Sequence, residues 1–196
     1  MINLLSKLSC IAVLAFSTFA GAADRPNILF FLVDDMGVGD TSVPFLYEDG
    51  KPKKIALNDL YKTPNMEKFA ANGRLFTNAY SYSMCSPTRI SLMTGQAAPR
   101  HRVTNWTHPK QSSIDTGIVK TKKIKSPPDW RVMGIDRSLL LLPRLMKAAG
   151  YTTLFAGKAH FGPDDTPSGD PRNLGFDVNI AGFGGGGPGS YWGMYN

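Results

Sequence analysis

The sequence predicts an α/β fold in which a mostly parallel central sheet is flanked by helices. Three kinds of segment support this fold: an apolar run at 27–33 that ends in two aspartates, helix-like segments at 63–73 and 143–150, and a strand-like segment at 151–156. A continuous apolar run is typical of a parallel strand that is buried on both faces. The chain is also long enough to form one domain with a sizeable core.

Residues 1–22 are predicted to be a secretory signal peptide. Lys7 lies near the start, an apolar run follows at Ile11–Phe16, and the small residues Ala20-Gly21-Ala22 precede the expected cleavage point. The run is shorter than the roughly 20 apolar residues of a membrane-spanning helix, and no later stretch approaches that length. We therefore expect an exported chain, secreted or periplasmic, with no membrane span.

The first predicted strand, Asn27–Val33, ends abruptly at Asp34-Asp35. In open α/β sheets, ligands collect outside the carboxyl ends of the strands. Carboxylate oxygens suit calcium or magnesium, although two carboxylates alone cannot complete the coordination sphere of either ion. On the residues alone, an Asp-Asp pair is more often a solvated turn.

A short amphipathic helix is predicted between Thr63 and Gly73, with Pro64 at its first position. One face of this helix is apolar, and we expect that face to belong to the core: Met66, Phe69 and Ala70. The following segment, 75–81, is predicted to reach Cys85 as a strand or an extended loop.

Cys85 would be the only cysteine left after signal cleavage, because Cys10 lies within the predicted signal peptide. A lone cysteine in an oxidising compartment indicates intermolecular pairing, a reactive thiol or conversion to another group. A buried structural cysteine is the alternative. Ser86 near the cap and Pro87 in the first turn predict a helix whose opening turns contain residues 89–93.

The segment Cys85-Ser86-Pro87-Thr88-Arg89, with Leu92-Met93-Thr94-Gly95 after it, resembles the sulfatase signature. In that family a separate maturation enzyme oxidises the cysteine to formylglycine, whose hydrate attacks sulfur and then releases sulfate. The resemblance implies an alkaline-phosphatase-like fold, sulfate ester hydrolysis, and Cys85 and Arg89 as catalytic residues. It also implies a formylglycine-generating enzyme as a partner.

The segment that begins Pro26-Asn27-Ile28 and ends in Asp34-Asp35 also resembles the start of sulfatases. In the family, the two aspartates bind calcium. The resemblance therefore implies a Ca²⁺ site with Asp34, Asp35 and the modified Cys85 as ligands.

A second resemblance follows the predicted helix Pro143–Gly150 and strand Tyr151–Ala156. Residues Gly157-Lys158-Ala159-His160-Phe161-Gly162 are similar to the second sulfatase signature, with Ala159 in place of an aromatic residue beside the expected pocket. In an extended chain, Lys158 and His160 point the same way. The resemblance implies that Lys158 contacts the formylglycine hydrate and the sulfate, and that His160 accepts a proton. Without this resemblance, a Lys-x-His pair would be read as an ordinary surface feature.

The stretch 100–136 is rich in lysine and arginine and predicts a long loop. The net charge of +7 would attract a sulfated polysaccharide, although a solvated loop explains the same charge. Asn105-Trp106-Thr107 fits a glycosylation acceptor in a eukaryotic host. The glycine-rich tract at 182–192 predicts a flexible loop without the context of a phosphate-binding motif. Arginine and aromatic residues do not alternate, so nucleic-acid binding is not expected.

Sulfatases are much longer than this chain and take further calcium ligands from later sequence. We therefore expect residues 23–196 to be the N-terminal portion of a sulfatase catalytic domain, a fragment whose sheet is incomplete. The predicted reaction is hydrolysis of a sulfated carbohydrate or an aryl sulfate. Two alternatives remain: a phosphonate or phosphate ester hydrolase of the same superfamily, and a non-catalytic exported fragment that binds anionic glycans.

Overall fold

The computed structural model describes residues 25–107, 133–188, 190 and 192. The chain divides into two compact units, the first ending at Gly37 and the second beginning at Val38. The predicted signal peptide lies outside the described residues, as does most of the predicted basic loop. None of the helices in the described ranges combines the length and apolarity of a membrane-spanning segment.

The second unit contains short helices, two pairs of strands and two 3₁₀ turns. The helices are α1 (Ala56–Leu60), α2 (Pro64–Asn72), α3 (Cys85–Thr94), α4 (Ala98–His101) and α5 (Leu142–Ala148). The strands are β1 (Leu46–Glu48), β2 (Lys51–Lys53), β3 (Leu154–Ala156) and β4 (Val178–Ile180), and the 3₁₀ turns are Pro167–Gly169 and Pro171–Leu174. This content agrees with the predicted α/β class.

The two strand pairs form separate sheets. Strands β1 and β2 are antiparallel, with Leu46 opposite Lys53. Strands β3 and β4 are parallel, with Leu154 opposite Val178. The predicted central sheet, mostly parallel and flanked by helices, is therefore not found in the described part of the chain, where each sheet has two strands.

The predicted first strand at 27–33 is wrong for the described structure. These residues have no strand assignment, and the apolar side chains from Ile28 to Val33 are 40–80% exposed. A parallel strand needs a neighbouring strand for its hydrogen-bond ladder and packed layers on both faces. The apolar run shows that the segment suits burial, but it carries no information on whether a partner strand is present.

Helix α2 forms within one residue of the predicted boundaries, but its apolar face is not core. No residue of α2 is buried, and Phe69 is 76% exposed. The periodicity of a sequence identifies the apolar side of a helix. It does not identify a surface that covers that side, and the prediction was wrong on this point.

The apolar core lies beneath helix α3 and the end of strand β3. Ile90 and Met93 of α3 pack in one cluster with buried residues from five other segments: Val103, Ile135, Leu141, Ala159, Phe161 and Leu174. At the side of this cluster, Phe155 makes edge-to-face contacts with Phe161 and Phe176, with ring centroids 5.5 and 5.2 Å apart. The core thus fixes α3 against the segment that follows β3.

Helix α3 begins at Cys85, earlier than the opening turns expected around Arg89. Its N-cap residue is Met84 rather than Ser86, and no side chain caps it. At the other end Gly95 has a left-handed backbone, with φ at 65°, and its N–H donates to the carbonyl of Ser91 at 2.8 Å. Glycine adopts this conformation without the cost that a Cβ imposes.

A carboxylate ties helix α5 to the parallel strand pair. Asp177 accepts hydrogen bonds from Lys147 Nζ at 2.6 Å, from the backbone N–H of Thr153 at 2.8 Å and from its hydroxyl at 3.0 Å. The hydrogen bond from Lys147 has the largest effect, and with the hydrogen bonds from the backbone and hydroxyl of Thr153 it lowers the pKa of Asp177 to about 2. The ionised carboxylate therefore stabilises the folded chain.

We expect Asp177→Asn to lower the free energy of unfolding at neutral pH and to weaken the dependence of that free energy on pH in the acidic range. The folded pKa lies below the value of about 3.9 for an unfolded aspartate, so this contribution is complete above that pH and is lost as pH falls through about 2. Urea unfolding midpoints between pH 7 and pH 2 measure it. Asp49→Asn, in the turn between β1 and β2, is the control, and equal acid dependence of the wild type and Asp177→Asn would contradict the assignment.

Candidate active site

The segment after strand β3 meets the start of helix α3, and the segment after strand β4 packs against it. Helix α3 begins at Cys85. The segment 157–161 leaves the carboxyl end of strand β3, and the segment 181–187 leaves the carboxyl end of strand β4. Because the two strands are parallel, both segments emerge at the same edge of the sheet. This edge is where α/β folds place their ligands.

Cys85 and Lys158 are in direct contact. Lys158 Nζ donates to the Sγ atom of Cys85 at 3.4 Å, and both residues are half-buried. Cys85 is also the first residue of a ten-residue helix, whose N-terminal end carries partial positive charge. An anion that reaches this cysteine would therefore meet a positive environment from the ammonium group and from the helix.

Arg89 lies one turn further along α3 and is only 6% exposed. Its guanidinium donates to the backbone carbonyl of Lys158 at 2.6 Å. This short, charge-assisted hydrogen bond fixes the backbone of Lys158 while the ammonium of the same residue extends to Cys85. Arg89 is thus a buried part of the site and not a surface arginine.

His160 is buried, with 5% of its surface exposed. The backbone N–H of His160 donates to the backbone carbonyl of Phe183 at 3.1 Å. Its ring nitrogen Nε2 lies 3.2 Å from the backbone carbonyl oxygen of Thr107. The prediction that Lys158 and His160 point the same way assumed an extended chain. His160 instead has a left-handed backbone with φ at 50°, so its side chain leaves the alternation and enters the interior.

Thr107 and Ser86 connect His160 to helix α3. The backbone N–H of Thr107 donates to Ser86 Oγ at 3.2 Å, and the two hydroxyl oxygens are 3.4 Å apart. The sequence indicates Thr107 only as part of a glycosylation triplet and Ser86 only as a cap. No local pattern identifies this pair, because the contacts join residues that are 21 and 53 positions apart.

Ala159 and Phe161 alternate with the polar residues of the same segment and belong to the core. Ala159 is fully buried in the apolar cluster, and Phe161 packs beside it. The expectation that Ala159 removes bulk beside the pocket is therefore replaced by a packing role. A small residue here suits the close approach of the segment to helix α3.

Asp34 and Asp35 belong to the first unit, where they form an exposed turn with φ of Asp35 at 53°. Their carboxylate oxygens suit a hard cation such as Ca²⁺, whereas the thiol sulfur of Cys85 does not. Cys85 would become a suitable ligand only after its conversion to an oxygen-bearing group. The described ranges contain no group of three or more histidine, cysteine, aspartate or glutamate residues that could hold a metal. The two aspartates are thus a partial donor set.

Ser91 of helix α3 and His101 of helix α4 form a second serine–histidine pair. Its hydrogen bonds exclude the arrangement in which the histidine acts as a base toward a serine nucleophile. The Nδ1 atom of His101 accepts the N–H of Val103 at 3.1 Å, so the hydrogen of the neutral ring is on Nε2. That nitrogen lies 2.9 Å from Ser91 Oγ and donates to it. Burial lowers the pKa of His101, and backbone groups of Pro87 and of His101 itself partly oppose this effect.

Comparison with known proteins gives one family and several relatives. The sequence model of the Sulfatase family matches residues 26–187. The chain is 36% identical over 176 residues to the N-acetylgalactosamine-6-sulfatase of Mus musculus, with 89% of this chain and 28% of that protein covered. It is 31% identical over 158 residues to the arylsulfatase of Hemicentrotus pulcherrimus, with 78% and 23% covered. The chain therefore spans only about a quarter of the length of these relatives.

The solved structure of Ps i-CgsB is also similar to this chain, with 23% sequence identity and a TM-score of 0.42. The match covers 76% of this chain and 26% of that one. The α/β class assigned above depends on the helices and strands themselves and not on this likeness.

We expect replacement of Arg89 by methionine to destabilise the second unit by about 2 kcal/mol, because a buried charged donor and its short hydrogen bond are lost. Chemical denaturation measures the change in unfolding free energy. Arg100→Met is the matched control, since Arg100 is exposed on the short helix α4. Equal losses in the two variants would contradict the anchoring role of Arg89.

His101 should make the fold sensitive to mild acid. Its folded pKa lies below the value of about 6.5 for an unfolded histidine, so the unfolded chain binds the proton more readily. Stability should fall as pH drops below about 6.5 and continue to fall until the folded pKa is reached. Unfolding midpoints of the wild type and of His101→Gln between pH 8 and pH 4.5 check this, with His108→Gln as a second histidine for comparison. A steeper decline in His101→Gln would contradict it.

Proposed function

The chain belongs to the sulfatase family, and from this membership we propose that it forms part of a hydrolase that cleaves sulfate esters, with position 85 as its reaction centre. The observation that carries the proposal is the contact between Lys158 Nζ and Cys85 Sγ. These two residues lie in separate signature segments, 73 positions apart, and they meet at the positive end of a helix. That combination suits an anionic substrate.

Cys85 is proposed as the precursor of formylglycine. When present, formylglycine supplies a hydrated aldehyde whose hydroxyl groups act as nucleophile and as release group for sulfate. The half-buried position of Cys85 at the first residue of α3 supports this role, because it is reachable and is held by a regular element. In the unmodified cysteine, the Sγ atom marks the position that a hydroxyl oxygen of the hydrated aldehyde would take.

The surrounding side chains are proposed to hold charge and protons. Lys158, with its ammonium beside position 85, would attract the sulfate group and reduce the negative charge that develops on its oxygens. His160 would take up a proton, since imidazole changes its protonation near neutral pH. Arg89 would keep Lys158 in place through its hydrogen bond to the carbonyl of that residue.

We also propose that Asp34 and Asp35 bind Ca²⁺. Their oxygen donors and their exposed turn fit a hard cation, and the two carboxylates alone do not complete its coordination sphere. Conversion of Cys85 would replace its soft sulfur by an oxygen donor, the kind of ligand that Ca²⁺ prefers.

The proposed substrate is a sulfated carbohydrate or an aryl sulfate, in line with the names of the relatives. The net charge of +7 supports attraction to a polyanion. The predicted signal peptide at 1–22 supports export, secreted or periplasmic. We propose that residues 23–196 are the N-terminal portion of the catalytic domain. The formylglycine-generating enzyme remains the proposed maturation partner.

Peptide mass spectrometry across Cys85 tests the modification. In protein that is co-expressed with a formylglycine-generating enzyme, we expect the peptide to lose about 18 Da, a change distinct from the mass gained on ordinary thiol oxidation. Cys85→Ser is the matched control and should keep its calculated mass. An unshifted wild-type peptide, in cells that convert a reference sulfatase, would count against the proposal.

The same preparation can be assayed on an aryl sulfate with a phosphate ester present as competitor. Hydrolysis that requires Ca²⁺ and is absent from Cys85→Ala would support a sulfatase. Faster hydrolysis of the phosphate ester would favour the phosphorus-directed alternative. Glycan binding that survives Cys85→Ala, with no hydrolysis of either ester, would favour the non-catalytic binding protein.

A further inference from the structure

The glycine tract, defined here as Gly184–Gly186, is packed against the segment that carries His160. It follows strand β4 and was predicted to be a flexible loop. The carbonyl of Phe183, just before the tract, accepts a hydrogen bond from the backbone N–H of His160 at 3.1 Å. Gly184 is buried so closely against Gly162 and Asp164 that a Cβ atom would collide with their backbone. The tract therefore acts as a wall of the site.

Gly186 lies directly against the imidazole ring of His160. A Cβ added to Gly186 would be 3.0 Å from Cε1, 3.4 Å from Nδ1 and 3.5 Å from Nε2 of that ring. The first distance is tighter than ordinary van der Waals contact, so any larger residue would push the ring. Gly187, the next residue, would have no atom within 4 Å of an added Cβ.

Thr107 contacts the same ring at Nε2. A backbone carbonyl can only accept a hydrogen bond, so the 3.2 Å contact between its oxygen and Nε2 requires the hydrogen to be on Nε2. In the neutral ring, Nδ1 then carries the lone pair. Thr107 is itself held by the bond from its N–H to Ser86 Oγ, next to Cys85.

We infer that Gly186 and Thr107 are positioning residues that hold His160 in one orientation and in the Nε2–H tautomer. A proton that the neutral ring takes up then adds to the Nδ1 lone pair and gives the imidazolium. The role of this proton in catalysis rests on the proposed function, whereas the tautomer and the orientation do not. Glycine at 186 leaves space for the ring, whereas a Cβ atom at this position would make the ring shift by a few tenths of an ångström.

The tautomer is measured directly by NMR correlation of the ring nitrogens and carbon-bound hydrogens in ¹⁵N-labelled protein. The chain has three histidines, and His160 is assigned by the signals lost in His160→Gln. We expect a pyrrole-type Nε2 and a pyridine-type Nδ1 in the wild type. Gly186→Ala should give mixed tautomers or displaced ring signals, and Gly187→Ala should reproduce the wild-type spectrum.

Turnover measurements add a second readout. We expect Gly186→Ala to lower kcat by about 10- to 100-fold with little change in KM, because a small displacement of a proton acceptor affects the reaction more than binding. Gly187→Ala should keep the wild-type kcat. Ser86→Ala removes the hydroxyl that holds Thr107, and Thr107 in turn contacts the His160 ring. This variant therefore tests the inference even if Gly186→Ala does not fold.

The two readouts separate the inference from the proposed function. A wild-type tautomer together with wild-type ring signals of His160 in both Gly186→Ala and Ser86→Ala would overturn the inference, whatever the activity. Displaced His160 signals in these variants support it, even in a protein that hydrolyses no sulfate ester. In that last case the proposed function fails, and the positioning of His160 stands.

Discussion

The hydrogen bond from the Arg89 guanidinium to the carbonyl oxygen of Lys158 joins two parts of the chain that are 69 residues apart. Because it is short, charge-assisted and almost fully buried, it fixes the distance between helix α3 and the segment after strand β3. The contact between Lys158 and Cys85 depends on this distance. So does the position of His160, which lies two residues further along the same segment.

A second constraint lies beneath these polar contacts. Ile90 and Met93 on the lower face of α3 pack with Ala159 and Phe161, so the same two segments are held by apolar contact as well. Several of the polar anchors are backbone carbonyls, and a backbone acceptor does not depend on the side chain of its residue. The site is therefore fixed mainly by the path of the main chain, with few side chains that must be of one kind.

The sequence predicted the features that depend on neighbouring residues. Helices α2 and α5 and strand β3 form where prolines, glycines and apolar runs indicated them. Helix α3 also forms, although it begins at Cys85 and is not capped by Ser86. The features that it missed depend on distant residues or on backbone conformation. The run at 27–33 gave no information on a partner strand, and the apolar face of α2 gave none on a covering surface.

The candidate site shows the same division. The signature segments identified Cys85, Arg89, Lys158 and His160, but not how His160 is held. Its left-handed backbone and its contact with Thr107 arise only when segments 53 residues apart are brought together. No spacing in the sequence records such a contact.

If Cys85 is modified as proposed, the burial of the signature around it sets an order of events in biosynthesis. Ser86, Pro87 and Arg89 are all buried in helix α3, whereas Cys85 and Thr88 are partly exposed. An enzyme that reads these residues as a peptide must therefore meet the chain before α3 folds. The rate of folding of this helix, relative to export of the chain, would then determine what fraction of the protein is ever modified.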